Sequence, residues 1–266
     1  MFKKCNCIYR GTNFKLAINF VREYSIIVQA KKGKIIFNYS ERIGMNKFKA
    51  AIFDLDGTTA DTLENLAFCA NSVISEFGIS PVETGRYKYF VGDGSRVQMQ
   101  RLLSYRGRYS GPADEGFLEE VFKRYLEFLS LHCADGVVPY EGMPDLLNEL
   151  NRLKIKCAVF SNKPHPQACK VISSVYPEGT FMDVLGQKDS YPRKPDPAGA
   201  LMLAEKLQVS PRECIYVGDT NTDMKTGKAA GMYTIGVLWG FRDRDELEKA
   251  GADLIVSAPA DILDLF

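Results

Sequence analysis

Between residues 156 and 256, short apolar runs alternate with stretches of helical period, and that alternation leaves few folds open. Runs at 157–160, 214–217, 234–237 and 254–256, with a weaker one near 182–185, are separated by helical segments at 166–173, 197–207 and 222–230. A helix at 144–153 precedes the first of them, and an earlier run at 49–53 belongs to the same series. Strands covered on both faces read as continuous apolar runs. Strand–helix repeats of this length imply right-handed crossovers, hence an α/β fold with a doubly wound parallel sheet and a Rossmann-like core. Ligands of such sheets bind beyond the carboxyl ends of the strands.

The segment 62–136 breaks the alternation. Residues 62–77 carry Leu63, Leu66, Ala67, Ala70, Val73, Ile74 and Phe77 at spacings of three and four, and 117–131 repeat the pattern with Leu118, Val121, Phe122, Tyr125, Leu126 and Leu129. Between them lie the turn Gly92-Asp93-Gly94 and a loop at 106–112, with no strand-like alternation. We therefore expect an all-helical domain, 62–136, inserted into a core made of 45–61 and 137–266. At 266 residues the chain can accommodate both.

Charge sets the beginning of the chain apart. Residues 1–44 hold nine Lys/Arg and two Asp/Glu, although the whole chain has 34 and 33 and a net charge of +1. Three readings compete for this basic segment: a targeting or nucleic-acid-binding arm, a small β-element around 34–39, and a start-site artefact with Met45 as the native start. The third is favoured, because Met45-Asn46-Lys47-Phe48-Lys49 leads straight into the first core strand. Without the arm, nothing else in the chain calls for a nucleic-acid partner. No run approaches the roughly 18 apolar residues needed to cross a bilayer, and no cleavage signature follows a clean apolar stretch, so a cytoplasmic protein without a membrane role is expected. Its seven scattered cysteines lack any Cys-x-x-Cys pair and read as reduced or buried thiols.

Three apolar runs stop at polar residues that complement one another: Asp54, Ser161, and Gly218-Asp219. Asp54 and Asp56, two apart at a strand end, present both carboxylates to one side while Leu55 turns into the core. Gly57 allows a sharp turn behind them. Asp219 and Asp223 lie one helical turn apart, and four carboxylates in one pocket would repel strongly without a cation. A hard divalent ion is implied, and Mg²⁺ suits a site with few carboxylates and a shared phosphate. Ser161 and Lys194 offer the hydroxyl and fixed charge wanted around phosphoryl oxygens.

Taken together, Asp54-Leu55-Asp56-Gly57-Thr58, Ser161-Asn162, Lys194-Pro195 and Gly218-Asp219-x-x-x-Asp223 resemble, in order and separation, the four motifs of the haloacid dehalogenase superfamily over residues 47–266. Phe90-Val91-Gly92-Asp93-Gly94, Arg193-Lys194-Pro195-Asp196-Pro197 and Tyr216-Val217-Gly218-Asp219-Thr220 are similar to its phosphoglycolate phosphatase branch. The resemblance implies a Mg²⁺-dependent phosphatase acting on a small phosphorylated metabolite, with phosphoglycolate the first candidate, and a monomer or small homo-oligomer. It makes the helical insert a cap. By motif, Asp54 is the nucleophile that forms an aspartyl-phosphate, and Asp56 is the acid and then the base. Asp54, the backbone carbonyl of Asp56, and Asp219 hold the metal, with Asp223 in support. Thr58, Ser161, Asn162 and Lys194 bind the phosphoryl group. Mutase, pyrophosphatase and nucleotidase activities of the same fold are the alternatives, since the motifs do not distinguish them. A non-catalytic module is disfavoured by four intact motifs, and a dehalogenase by the acidic residues it would not need.

Some residues stand outside this pattern. Thr59 occupies a position where the family commonly has an apolar residue, and is expected to support the turn. Arg96 and Arg101 follow the glycine-rich turn of the insert and Lys88 precedes it; one of them, Arg96 first, is the candidate for a substrate carboxylate, although basic residues on such a helix are usually solvated, while His132 and His165 are read as structural or surface residues.

Overall fold

The structure is a computed structural model describing residues 13–20, 24–31, 34–41 and 47–266. Two units divide at residue 46. In the first, strands β1 (Asn13–Phe20), β2 (Tyr24–Lys31) and β3 (Lys34–Glu41) form an antiparallel sheet in that order. Leu16 stands opposite Val28, and Val28 opposite Phe37. The stretch at 34–39, read from the sequence as a candidate β-element, falls within β3.

The second unit begins with β4 (Ala50–Phe53), whose four residues are all buried. After a tight turn come β5 (Ala60–Asp61), α1 (Leu63–Glu76), a 3-10 turn at Thr84–Tyr89, α2 (Ser95–Tyr105), α3 (Glu115–His132) and β6 (Val138–Pro139). Antiparallel pairing of Ala60 with Pro139 and Asp61 with Val138 brings the entrance and exit of the three-helix segment together. The chain continues through α4 (Met143–Arg152), β7 (Lys156–Pro164), α5 (His165–Val175), β8 (Asp183–Gln187), α6 (Ala198–Lys206), β9 (Cys214–Gly218), α7 (Asn221–Ala229), β10 (Tyr233–Val237), α8 (Arg244–Lys249) and β11 (Leu254–Val256).

Six of these strands form one parallel sheet in the order β11-β10-β9-β4-β7-β8. Side chains alternate between its faces, as a period of two demands. Ala51, Phe53, Val159 and Val217 pack with α4 and α5, while Ala50, Ile52, Phe160 and Tyr216 pack with α6. Helices cover both faces, as expected of a doubly wound sheet. In register, Phe53 lies between Val159 and Val217, so the residues that follow all three emerge from one edge.

β7 outruns the expected strand. It continues through Ser161, Asn162 and Lys163 to Pro164, and its pairing with β8 shifts register between Phe160 and Pro164. Irregularities of this kind re-aim side chains beside functional sites. The described cysteines, Cys69, Cys133, Cys157, Cys169 and Cys214, are free thiols; Cys5 and Cys7 lie outside the described residues. Among the described residues no helix is long and apolar enough to cross a membrane.

Candidate active site

The turn after β4 is built around one carbonyl. The N–H groups of Thr58, Thr59 and Ala60 all donate to Leu55 O, at 3.1–3.2 Å. Thr59, the departure from the family pattern, is fully buried and donates its hydroxyl to Asp54 O at 3.1 Å, so its polarity is used inside the turn. Gly57 has φ +86°, and a Cβ there would lie 2.4 Å from Asp219 Oδ2 and 2.8 Å from the Phe241 ring. Both the backbone angle and the close approach require glycine.

This turn presents Asp54 to a buried cluster. Its Oδ1 accepts the Leu55 N–H at 2.6 Å and lies 2.8 Å from Lys194 Nζ. The same ammonium donates to Asp223 Oδ1 at 2.7 Å and to Phe160 O at 3.2 Å. Asp219 Oδ1 accepts the Thr58 hydroxyl at 2.9 Å, and its Oδ2 accepts the Phe241 N–H at 2.8 Å. Asp223 also serves the start of α7, where its Oδ2 accepts the N–H and hydroxyl of Thr220 in a capping box. Asp54, Asp219 and Asp223 each bring a carboxylate oxygen within 4.8 Å of the others.

Electrostatics follow from that crowding. Burial, then the charge of Asp223, holds Asp54 well above the usual carboxylate range. Burial and Asp223 likewise push Asp219 up to about 7. Burial opposes the charge of Lys194, whose side chain is 1% exposed, yet Asp223 and Asp54 keep its ammonium well above the ordinary lysine value. One ammonium against three carboxylates leaves two negative charges unbalanced, which a divalent cation would match. An all-oxygen donor set suits a hard ion. The residues therefore fit Mg²⁺.

Asp56 stands apart from the acidic cluster. Its Oδ1 pairs at 2.9 Å with Lys163 Nζ, whose side chain is 1% exposed. The crowding expected of four carboxylates thus falls on three, and the fourth has its own cation. Asp54, Asp56, Ser161, Asn162 and Lys163 line one cavity, facing Gly92, Gly94, Ser95 and Gln98 from the helical segment. Ser161 is buried and its Oγ accepts the Lys163 N–H at 3.2 Å. The Asn162 side chain is a staple: Oδ1 accepts the Lys194 N–H at 2.9 Å while Nδ2 donates to Lys194 O at 3.2 Å and to Gly92 O at 3.1 Å.

Two expected site residues are turned elsewhere. Thr58 is fully buried, and its hydroxyl is committed to Asp219 instead of the cavity. Arg96 is a correction to the sequence reading: its guanidinium pairs with Glu115 and Glu119 of α3, and it does not line the cavity. About 100° of helix rotation per residue turns Arg96 away from the wall formed by Ser95 and Gln98. Arg101 and Lys88 serve structure. Arg101 pairs with Asp93 at 2.5 Å, and Lys88 gives its carbonyl to Arg242. Asp93 also accepts the Thr222 hydroxyl at 2.7 Å, and Arg242 donates to Val91 O at 3.0 Å, so residues 88–93 are tied directly to the core. His132 pairs with Asp135, while His165 accepts the Gly186 N–H, away from the cavity.

Sequence reasoning missed Lys163 and Gln98. Lys163 carried one signal, adjacency to Ser161-Asn162; Gln98 carried none beyond its place after the glycine turn.

Residues 51–237 match the haloacid dehalogenase-like hydrolase family, a span that includes every acidic residue of the site. The chain belongs to that family. As a haloacid dehalogenase-like hydrolase it is similar to enzymes that hydrolyse phosphoric monoesters. A phosphoglycolate phosphatase of Chromobacterium violaceum is 29% identical over 223 residues, covering 84% of this chain and 98% of the relative. An N-acetylmuramic acid 6-phosphate phosphatase of Pseudomonas aeruginosa is 30% identical over 222 residues, covering 82% and 95%. Among solved structures, a protein from Lactobacillus delbrueckii subsp. bulgaricus, provisionally named a phosphoglycolate phosphatase, has 30% identity and a TM-score of 0.76 over 81% of this chain and 96% of its own.

Proposed function

We propose that this haloacid dehalogenase-like hydrolase is a Mg²⁺-dependent cytoplasmic phosphatase for a small phosphomonoester, phosphoglycolate the leading candidate, acting through a phosphorylated Asp54. The observation that carries this reading is the state of Asp54. Leu55 N–H and Lys194 Nζ both hold its Oδ1, beside two further buried carboxylates. That leaves Oδ2 as the attacking oxygen.

Asp54 Oδ2 forms the bond to phosphorus while the bond from phosphorus to the ester oxygen breaks. Asp56, protonated when the ester binds and held in place by Lys163, gives its proton to the departing alkoxide, then takes one from the water that cleaves the aspartyl-phosphate, so that Asp54 returns as the carboxylate and Asp56 as the acid. Ser161, the Asn162 N–H and Lys194 balance the charge on the phosphoryl oxygens. Asp54, Asp219 and the Asp56 carbonyl would hold Mg²⁺, with Asp223 fixing Lys194 behind them. Bound there, the ion neutralises the clustered carboxylates and polarises the phosphoryl group. Residues 62–136 act as the cap over a core of 45–61 and 137–266, and the contacts of Asp93, Gly92 and Val91 with the core hold it shut. Closure excludes water, which strengthens every charge interaction inside.

The test is phosphate release by the full chain from a panel of phosphomonoesters, with Mg²⁺ and with EDTA. Release dependent on Mg²⁺, fastest for phosphoglycolate, is the expected result. No release from any member of the panel would end the reading.

A further inference from the structure

The cavity wall contributed by the helical segment has a chemistry that the phosphoryl-transfer residues do not explain. Gln98 is 3% exposed, and its Nε2 has no hydrogen-bond partner in the protein. Tyr125, fully buried, donates its hydroxyl to Gln98 Oε1 at 3.3 Å, which fixes the amide with Nε2 as its free end. Among the described residues, this is the one unpartnered buried side-chain atom that belongs to a residue lining the cavity. Buried donors are nearly always satisfied, so a free one beside reactive groups is a donor held for a ligand.

Two further features have the same sign. Lys163, a lining residue of the same cavity, has a buried side chain whose Nζ gives one of its three N–H groups to Asp56. Helix α2 begins at that cavity with Gly94 and Ser95, its first turn has no acidic residue, and its opening N–H groups lack acceptors within the helix. Carboxylates are missing from this wall, where the Ser95 hydroxyl can both donate and accept. Apart from Ser95 and Gln98, its side chains are the apolar Leu66, Val91 and Leu129, and the Gln98 oxygen is taken by Tyr125.

We infer that Gln98 Nε2, with Lys163 and the first turn of α2, is the donor set that recognises a carboxylate on the leaving group, which makes Gln98 a specificity-determining residue. This rests on the phosphatase reading and adds the residue that sets specificity. Gln98 touches the substrate without entering the chemistry.

The experiment compares kcat/KM for phosphoglycolate and for 2-hydroxyethyl phosphate, which has the same chain length but an alcohol in place of the carboxylate. The wild-type enzyme should prefer phosphoglycolate by roughly a hundredfold, the scale of a charge-assisted hydrogen bond and its neighbours. Gln98→Leu should cut that ratio about tenfold or more, chiefly through KM. Gln98→Glu, which keeps an oxygen for Tyr125 and sets a like charge against the substrate, should cut it further and carries the test if the leucine variant does not fold. A wild-type ratio near one, or a ratio unmoved in both variants, would overturn the inference while leaving the phosphatase reading intact. Release from sugar phosphates in preference to phosphoglycolate would overturn it as well, together with phosphoglycolate as the leading substrate, while phosphatase activity itself would stand. Release from no phosphomonoester would remove both.

Discussion

Without metal, the protein should lose stability as pH rises from about 5 to about 8, and Mg²⁺ should restore it. Asp219 titrates at about 7 in the folded protein against an ordinary value of 3.8. Its native state therefore holds a proton that the unfolded chain has already released across that window, and stability falls with pH wherever the native state binds more protons. One pKa unit corresponds to about 1.4 kcal/mol, so Asp219 alone contributes a loss on the order of 3 kcal/mol between pH 5 and 8. Asp54, raised by the same burial and crowding, adds to it with the same sign. Asp93 and Asp253, held below their usual values, complete their titration at lower pH and do not interfere. His165, lowered by burial, works weakly the other way below its ordinary 6.5. The assay is urea unfolding in EDTA at several pH values, repeated with saturating Mg²⁺. A metal that binds only the folded, deprotonated site should stabilise more at pH 8 than at pH 5. Asp219→Asn supplies an internal control, since an amide can keep both the Phe241 and Thr58 contacts without charge. In EDTA it should flatten the pH dependence, and it should abolish the response to Mg²⁺. Metal-free stability that stays level or rises with pH, or equal stabilisation by Mg²⁺ at both ends, would refute the crowding of Asp54, Asp219 and Asp223.

Asp56→Asn should lower kcat for alkyl phosphates by about 100- to 10,000-fold, because the alkoxide then leaves without a proton. With p-nitrophenyl phosphate, whose leaving group needs none, the same variant should give a burst of nitrophenol followed by a stalled phosphoenzyme; equal losses on both substrates would remove Asp56 from the acid role. Gly57→Ala should destabilise the fold by roughly 2–4 kcal/mol and weaken Mg²⁺ binding, since the new methyl group adopts a disfavoured φ and collides with Asp219. Thermal unfolding and Mg²⁺ titration check both effects, and a variant with wild-type values would contradict the packing of the turn.

The sheet was legible because buried parallel strands leave an unmistakable pattern: 50–53, 157–160, 214–217 and 234–237 all lie in strands that pair in register. The acidic site was legible because strand ends and a helix start place Asp54, Asp219 and Asp223 by backbone geometry alone. What failed to show was whatever depends on distant partners. Helix α2 reads as polar, with only Gln98, Met99, Leu102 and Leu103 buried, and its apolar stripe is too thin to stand out. The burial of Lys163 is decided by Asp56, 107 positions away in sequence, and that of Gln98 by Tyr125. The fate of Arg96 depended on Glu115 and Glu119 in the next helix. Short α8 has only Leu247 buried and six residues, too few to declare a period.

The central role given to Asp54 has a direct assay. The full chain is incubated with Mg²⁺ and phosphoglycolate, quenched with borohydride, which reduces a phosphorylated aspartate to homoserine, and digested for mass spectrometry. The result expected is homoserine at position 54 in the wild-type protein and in the Asp56→Asn variant, with no modification and no turnover in Asp54→Asn. Trapping at another residue, or sustained turnover by Asp54→Asn, would show that the phosphoryl group passes elsewhere.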